Sequence, residues 1–299
     1  MILVWGPADD PPVEHVLEAL HDRGAPAVHI DDDALPALDF EVGFSPRPAG
    51  RLRSAGTTIE LEKLTGLYLR PGEDRPDSRR PESVKAAAML MAVAASAPAT
   101  VVNRPFAGRS NGSKPLHLQQ IANAGLKVPE TLVTTDPTAA LDFLREHGRL
   151  VYKSISAVRS IVATLDSDDQ DRLAGVATGP VQLQRWIAGT DVRVHVVKER
   201  WWATAIESEA DDYRYAARDG LAIAMRPIEI PPELGHRLVR LTAAMGLLVS
   251  GIDLRRTKGD EWFCFEVNPS PGFTYYEEAT GQPIAEAIAD LLCGTDPGG

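Results

Sequence analysis

Cysteine, lysine and the common glycine-rich phosphate motifs are scarce or absent in this sequence. The two cysteines among its 299 residues, Cys264 and Cys293, lie far apart without a pairing pattern, which predicts a reduced, cytoplasmic protein. Neither G-x-G-x-x-G nor G-x-x-x-x-G-K-S/T occurs, so no dinucleotide-binding or P-loop signature is visible. The net charge of −11 argues against general nucleic-acid binding, which needs basic patches to neutralise phosphates.

Long hydrophobic runs are also missing, and this argues against a membrane span. The longest run of low polarity, residues 86–102, is mostly alanine and contains Pro98, which is typical of a buried helix. The N-terminus lacks the basic stretch of a secretory signal and meets proline early, so no export signal is expected. We therefore expect no membrane partner.

The order of apolar segments predicts a mixed α/β protein in three parts. Alternating strand and helix patterns up to about residue 105 indicate a small α/β domain, which a loop from Asn103 to Gly112 separates from the rest. Lys114 and Pro115 then open a helix, because proline is favoured in a first helical turn. The predicted parts are residues 1–105, 106–180 and 181–299.

The segment 251–268 predicts a β-hairpin with one acidic face. A two-residue turn at Gly259-Asp260 would place Asp253 opposite Glu266 and Gly251 opposite Asn268. Because side chains alternate along a strand, the two faces can be told apart. One face would carry Asp253, Arg255, Cys264, Glu266 and Asn268. The other, a core face, would carry Ile252, Leu254, Phe263, Phe265 and Val267.

The acidic face is a candidate metal site. Two carboxylates directly opposite each other destabilise a sheet, and a bound divalent cation reverses that effect. The carboxylates of Asp253 and Glu266 and the amide oxygen of Asn268 are hard oxygen ligands of the kind that Mg²⁺ prefers. A solvated sheet face, neutralised by Arg255, is the alternative that the hairpin alone leaves open.

Two lysines occupy positions suited to a phosphate. The chain has only seven lysines against 24 arginines. Lys114 begins a helix and Lys153 ends an apolar strand, and a lysine ammonium is a compact charge that suits phosphate binding. Taken singly, each is more often a surface residue.

The order of these features resembles the ATP-grasp ligases, and within them the branch of ribosomal-protein glutamate ligases and graspetide (peptide) maturases. The resemblance covers about residues 103–292 and implies an ATP-grasp fold, in which a small N-terminal α/β domain precedes two α+β subdomains that clasp ATP. The motifs that carry it are NGSKPLHLQQIANAGLKVPETLVTTDP (111–137), QLQRWIAGTDVRVHVV (182–197), DDYRYA (211–216) and the segment 251–292, which begins GIDLRRTKGDEWFCFEVNPSPGF.

The resemblance also implies a role for each matching residue. Lys114 and Lys153 are expected to contact the ATP phosphates, Asp191 the ribose, and Arg214 the γ-phosphate and acyl-phosphate oxygens. Arg255, on the acidic face, is a further catalytic candidate that could bind carboxylate or phosphate. The expected adenine-binding segment is Gln184, Arg185, Trp186 and Ile187, and the expected metal ligands are Asp253, Glu266 and Asn268.

These roles imply a ligase that uses Mg·ATP to join a carboxylate to an amine or a hydroxyl through an acyl phosphate, releasing ADP and phosphate. Mg²⁺ is the expected metal, with Mn²⁺ as a possible substitute. The expected partners are peptide or small-molecule carboxylates and amines. A homodimer or homotetramer is expected by analogy with such ligases.

Two features depart from the family pattern. The segment after Lys153 contains no glycine, where these ligases usually carry a flexible loop, although Ser154, Ser156 and Arg159 offer phosphate contacts. Arg185 stands where the adenine-binding segment often carries glutamate. The departures support an alternative function, namely an ATP-binding module with weakened catalysis that binds or regulates a partner.

Further residues are candidates for the acceptor side of the site. Arg70 ends an N-terminal strand and could hold a substrate carboxylate, with a plain surface arginine as an equal alternative. Thr274, Tyr275 and Tyr276 follow the Pro-Ser-Pro-Gly turn and could line the site or simply pack the loop. Arg193 is expected to support the hairpin, because valines alternate along its strand.

Overall fold

The protein is a mixed α/β structure, which confirms the class predicted from the sequence. The computed structural model describes residues 1–72, 80–155, 162–208 and 222–295. Within these ranges, seven α-helices pack on four β-sheets.

The N-terminal part holds a four-stranded parallel sheet and a three-stranded antiparallel sheet. Its elements are β1 (Ile2–Trp5), α1 (Pro11–Asp22), β2 (Ala27–Ile30), β3 (Asp39–Phe44), β4 (Pro48–Ser54), β5 (Thr57–Glu60), β6 (Gly66–Leu69), α2 (Pro81–Ser96) and β7 (Thr100–Val102). The parallel strands run in the order β2-β1-β6-β7. Helix α1 connects β1 to β2 and α2 connects β6 to β7, because parallel neighbours need a crossover. The antiparallel sheet, β3-β4-β5, was not predicted.

The alanine-rich run 86–102 forms most of α2 and then β7, so the buried helix predicted there is confirmed only as far as Ser96. Helix α2 ends at Ser96, two residues before Pro98, which disfavours helical backbone at the residue before it. The Arg104 guanidinium closes this end by donating to the carbonyl oxygens of Ala94, Ala97 and Ala99, each at 3.0 Å. Across the described ranges, no helix is both long and apolar enough to cross a membrane.

The central part is an antiparallel sheet with two helices. Its elements are α3 (Lys114–Asn123), β8 (Thr131–Thr134), α4 (Pro137–His147), β9 (Leu150–Ser154), β10 (Val162–Leu165) and β11 (Val181–Arg185). The strand order is β10-β9-β11-β8, and α4 and a 3₁₀ segment at Ser167–Thr178 cover one face. Because β11 completes this sheet, we propose that the boundary predicted between residues 180 and 181 lies at 186–189.

The C-terminal part is a five-stranded antiparallel sheet in the order β14-β13-β12-β15-β16. Its elements are β12 (Thr190–Val197), β13 (Arg200–Ser208), β14 (Ile223–Ile228), α5 (Pro232–Ala244), β15 (Val249–Arg256), β16 (Trp262–Asn268), α6 (Thr274–Thr280) and α7 (Ile284–Cys293). One buried cluster contains Val4 of β1, Val16 of α1, Val197 of β12 and Ile288 of α7. Helix α7 therefore packs the C-terminal sheet onto the N-terminal part.

Asn103, in the loop after β7, fixes the start of β15 relative to the end of β16. Its Nδ2 donates to the carbonyl oxygens of Val249 (2.7 Å) and Pro269 (2.6 Å). Its Oδ1 accepts from the backbone N–H groups of Leu248 (2.8 Å) and Val249 (3.1 Å). The full hydrogen-bonding capacity of the amide is used, two donors and two lone pairs.

We expect Asn103→Ala to lower the free energy of unfolding by roughly 2–4 kcal/mol, because four partly buried backbone groups lose their partner. Urea unfolding measures the change. Asn123→Ala, at an exposed position on α3, is the control and should stay within about 0.5 kcal/mol of wild type. A loss at Asn103 no larger than that of the control would contradict the assignment.

Candidate functional site

The turn of the β15–β16 hairpin is longer than predicted. Thr257 and Glu261 pair through a backbone hydrogen bond of 2.9 Å, and three residues, 258–260, lie between them. Asp260 has a φ of 61°, a left-handed conformation that aspartate tolerates better than most residues. The predicted two-residue turn is therefore wrong, and the strands leave the turn one residue out of the predicted register.

A β-bulge at Phe265 restores the register before the acidic residues. The pairing shifts by one residue between Asp253 and Leu254, with Phe265 as the extra residue on β16. Beyond the bulge, Asp253 lies opposite Glu266 and Gly251 lies opposite Asn268. The predicted pairing of these four residues is confirmed, because the longer turn and the bulge offset each other.

The bulge also changes which side chains share the acidic face. Cys264 was predicted on that face but pairs with Leu254 and is buried in the core, where burial and then the nearby Asp253 carboxylate raise the pKa of its thiol. Phe265 was predicted in the core. Its ring instead lies 5.6 Å from Nζ of Lys153 and 5.6 Å from Cζ of Arg255.

Three charged side chains cross the sheet in one row, which we call the charge row: Arg193 on β12, Asp253 on β15 and Glu266 on β16. Nη1 of Arg193 donates to Oδ1 of Asp253 at 2.6 Å, and Arg193 is only 6% exposed. Gly251 makes room for it, because a Cβ there would lie 2.2 Å from Nη2 of Arg193. Among the described residues, the Glu266 carboxylate makes no ion pair.

A cleft joins the charge row to both predicted phosphate-binding lysines. Lys114 is the first residue of α3, Lys153 lies on β9 and Glu266 on β16, and the empty space between them is about 290 Å³, open solvent included. Nζ of Lys153 donates to Oε1 of Gln184 at 3.0 Å. The residues that line the cleft are Asn111, Lys114, His117, Leu118, Lys153, Gln182, Phe265 and Glu266. Two ammonium groups and one carboxylate thus face one space.

The predicted adenine-binding segment, residues 184–187, covers the last two residues of β11 and the two residues after it, and its side chains are largely engaged with the protein. Gln184 is buried. Nε of Arg185 donates to Oε2 of Glu130 at 2.5 Å, and the Arg149 guanidinium lies 4.4 Å from the centre of the Trp186 ring. Contacts from this segment to an adenine would therefore come chiefly from its backbone and from one face of the indole.

Arg255 joins the predicted adenine- and ribose-binding residues to β15. Its Nε and Nη2 donate to the two carboxylate oxygens of Asp191, at 2.8 and 2.9 Å. Its Nη1 donates to the carbonyl oxygen of Ile187 at 2.9 Å. Because the guanidinium is bound on both edges, we propose a positioning role for Arg255 in place of the predicted catalytic one.

Some predicted residues lie outside the described part of the chain. Arg214 falls in the segment 209–221, and Ser156 and Arg159 fall in the segment 156–161. Their roles remain predictions.

Arg70 connects the N-terminal part to the loop after β16. Its Nε donates to Oδ2 of Asp10 at 2.5 Å, and its Nη1 donates to Oγ of Ser270 (3.0 Å) and to the carbonyl oxygen of Pro271 (2.9 Å). These contacts engage the guanidinium and favour a structural role over the predicted capture of a substrate carboxylate.

Thr274, Tyr275 and Tyr276, at the start of α6, differ in exposure. Thr274 and Tyr276 are buried, and the Tyr276 ring packs edge-to-face on His195, with 4.9 Å between the ring centres. Tyr275 is 51% exposed. Of the three, Tyr275 therefore offers the largest surface to a substrate.

His117 connects α3, the helix that begins at Lys114, to β16, a role that the sequence did not reveal. Its Nε2 accepts from the backbone N–H of Val267 at 2.8 Å, and its Nδ1 lies 3.0 Å from Oγ of Ser110. Val267 sits between Glu266 and Asn268 on β16. The bond from Val267 requires a neutral imidazole, and burial accordingly lowers the pKa of His117 to about 4.

Gln182 is a second cleft residue that the sequence analysis did not single out. The sequence pattern could have indicated this residue, because Gln182 and Gln184 alternate with apolar residues on β11 and so share one face of the strand. His117 had no comparable signal, because a single histidine in a helix does not indicate which strand the helix packs against.

Residues 112–292, more than half of the chain, match the family described as RimK-like ATP-grasp domain. One relative is a probable alpha-L-glutamate ligase of Photobacterium profundum, 28% identical over 203 residues that make up 64% of this chain and 66% of that protein. Another is a probable alpha-L-glutamate ligase of Teredinibacter turnerae, 24% identical over 93% of this chain and 85% of that protein. For the first three relatives, the match spans 61% to 66% of the relative's length.

Solved structures resemble the chain over almost its whole length. Macrocyclase MdnC from Microcystis aeruginosa MRC, bound with precursor peptide MdnA, has a TM-score of 0.81 and 21% identity, covering 99% of this chain and 100% of that chain. ATP-grasp ligase PsnB, complexed with a phosphomimetic variant of its minimal precursor, Mg and ADP, has a TM-score of 0.81 and 26% identity. The match covers 99% of this chain and 98% of that chain. The predicted ATP-grasp fold is confirmed.

The pKa of His117 predicts how stability depends on pH. Because the pKa of the folded state lies below the ordinary value near 6.5, the stabilisation is complete above about pH 6.5 and is lost as the pH falls towards 4. Between about pH 7.5 and about pH 5, wild type should lose roughly 2 kcal/mol more free energy of unfolding than His117→Gln. Urea unfolding of both proteins at the two pH values measures this difference.

The glutamine variant is a matched comparison, because its Oε1 can accept the hydrogen bond from Val267 but does not titrate. Other groups titrate equally in both proteins and cancel in the difference. Equal losses in wild type and variant would contradict a neutral, buried His117.

Proposed function

Because the chain belongs to the family of RimK-like ATP-grasp domains, as the sequence predicted, we propose that it is an ATP-dependent ligase that joins a carboxylate to an amine or a hydroxyl. The observation that carries the proposal is the cleft, in which Lys114, Lys153 and Glu266 face one another. Relatives named as glutamate ligases and a solved structure named as an ATP-grasp ligase agree with this class of enzyme.

The need for ATP follows from the reactivity of carboxylates. A carboxylate does not condense with an amine in water, because the leaving group would be oxide. Transfer of the γ-phosphoryl group of ATP to a carboxylate oxygen gives an acyl phosphate and ADP. Attack of the amine nitrogen or hydroxyl oxygen on the acyl carbon then expels phosphate, and the nucleophile loses its proton. The products are the amide or ester, ADP and phosphate.

The two lysines are suited to the phosphoryl-transfer step. In such a transfer, negative charge lies on the equatorial phosphate oxygens, so fixed cations and positioning supply most of the catalysis. We assign Lys114 and Lys153 to the phosphates, because both ammonium groups enter the cleft from rigid elements, a helix and a strand. The partly enclosed cleft also protects an acyl phosphate from water.

The charge row fits a divalent cation. Asp253 and Glu266 lie directly opposite each other, and Arg193 pairs with Asp253, so the three side chains of the row carry one net negative charge. Asn268 has its Oδ1 2.9 Å from the N–H of Ser270 and keeps a second lone pair for a metal. Asp253, Glu266 and Asn268 would hold Mg²⁺, or Mn²⁺ in its place, which supplies charge neutralisation for the ATP phosphates when bound.

We propose a peptide as the substrate that carries the carboxylate. The support is the likeness to PsnB, whose structure includes a minimal precursor peptide, at 26% identity over 99% of this chain. The glutamate ligase relatives make glutamate a suitable probe for the amine. A homodimer or homotetramer remains a prediction.

We expect Glu266→Gln to lower the rate of ADP release from Mg·ATP at least about 100-fold, because the variant loses a charged metal ligand while keeping the shape of the side chain. A coupled ADP assay with glutamate and a glutamate-rich peptide as probe substrates measures the rate. Circular dichroism confirms that the variant is folded.

Glu261→Gln is the matched control, since Glu261 is an exposed carboxylate at the turn of the same hairpin. It should release ADP at the wild-type rate. An unchanged rate in Glu266→Gln would remove the metal assignment. Nucleotide binding without ADP release by wild type would favour the alternative of a module with weakened catalysis.

A further inference from the structure

Gln182 is a buried amide on the wall of the cleft whose carbonyl has no partner. The residue is 1% exposed and lies on β11 directly opposite Lys153 of β9, so both side chains share the cleft face of the central sheet. Across the residues that the structure describes, Oε1 of Gln182 makes no hydrogen bond. A buried carbonyl without a hydrogen-bond partner destabilises the folded protein, because its hydration is lost and not replaced.

Gln184, two residues along the same strand, shows what a structural glutamine does at this face. Its Oε1 accepts from Nζ of Lys153 at 3.0 Å, and its Nε2 donates to Oγ1 of Thr131 at 3.1 Å. The protein satisfies Gln184 at both ends and leaves Gln182 unsatisfied. The two residues therefore have different roles, although they share residue type, strand and face.

The surroundings of Gln182 indicate the chemistry of its missing partners. The cleft holds two lysine ammonium groups, which only donate hydrogen bonds, and it is the site proposed for ATP phosphates, which only accept them. A primary amide is the neutral side chain that can serve both, with one acceptor and two donors. A glutamate would repel the phosphates, and an apolar residue would bond to neither group.

We propose that Gln182 is a nucleotide-binding residue whose amide bridges a lysine ammonium and a phosphate oxygen of ATP. Oε1 accepts from the ammonium group, and Nε2 donates to the phosphate. No bond is made or broken in this role, so the amide orients the phosphate chain and the lysine towards each other. The inference rests on the proposed function, because it needs ATP in this cleft.

The test combines thermal unfolding of the ligand-free protein with calorimetric titration of a non-hydrolysable ATP analogue in Mg²⁺. Gln182→Met keeps the length of the side chain and removes the amide. We expect its melting temperature to equal or exceed that of wild type, because an unpartnered polar group leaves the interior. We expect its affinity for the analogue to fall about tenfold or more, because a hydrogen bond to a charged group is lost.

Two further variants keep the proposal falsifiable. Gln184→Met should melt below wild type, because it breaks two hydrogen bonds that exist without ligand. Gln182→Glu should also bind the analogue more weakly than wild type, because a carboxylate repels phosphate.

A melting temperature of Gln182→Met below that of wild type, or failure of this variant to fold, would overturn the proposal in favour of a structural role. Unchanged affinity of Gln182→Met would overturn it as well, and would leave the proposed function standing because wild type still binds. If wild type itself does not bind the analogue, the proposed function fails and this inference fails with it.

Discussion

The ion pair between Arg193 and Asp253 is the interaction on which the rest of the site depends. Asp253 and Glu266 lie opposite each other across β15 and β16, an arrangement that is unfavourable for two like charges. Arg193, on the neighbouring strand β12, is almost wholly buried and neutralises the Asp253 carboxylate. The sheet can therefore fold with two carboxylates in one row, and Glu266 is the carboxylate that we propose binds a cation.

Neighbouring side chains hold this row in place from several directions. Gly251 leaves the space that the Arg193 guanidinium fills. Asn103 binds the start of β15 and the residue that follows β16, and His117 binds the backbone between Glu266 and Asn268. Since His117 and Lys114 lie on the same short helix, the histidine also positions Lys114 relative to Glu266 and Asn268.

Sequence patterns predicted the elements that depend on local spacing. The strand pairing of Asp253 with Glu266 was predicted from a two-residue turn at Gly259-Asp260, but the longer turn and the bulge that produce this pairing were not predicted. Their effects on the register cancel, and only tertiary packing of Cys264 shows where the bulge lies. The sheet formed by β3 to β5 was missed because β3 and β5 are largely exposed and carry few buried apolar residues.

Contacts between distant segments could not be predicted from one sequence. Arg255 shares a strand with Asp253, which suggested a catalytic role, and its partner Asp191 is 64 residues away. Asn103 and His117 are ordinary residues in the sequence and acquire their importance from partners about 150 residues later. Gln182 shows the same limit, since the strand pattern indicated the face on which it lies but neither its burial nor its missing partner.

The central claim is that the charge row takes a divalent cation together with a nucleotide. Calorimetric titration of a non-hydrolysable ATP analogue into the wild-type protein, first with Mg²⁺ and then with EDTA, tests it most directly. We predict that the affinity for the analogue falls at least about tenfold when Mg²⁺ is removed, because the phosphates then face Glu266 without a counter-charge. Equal affinity with and without Mg²⁺ would contradict it.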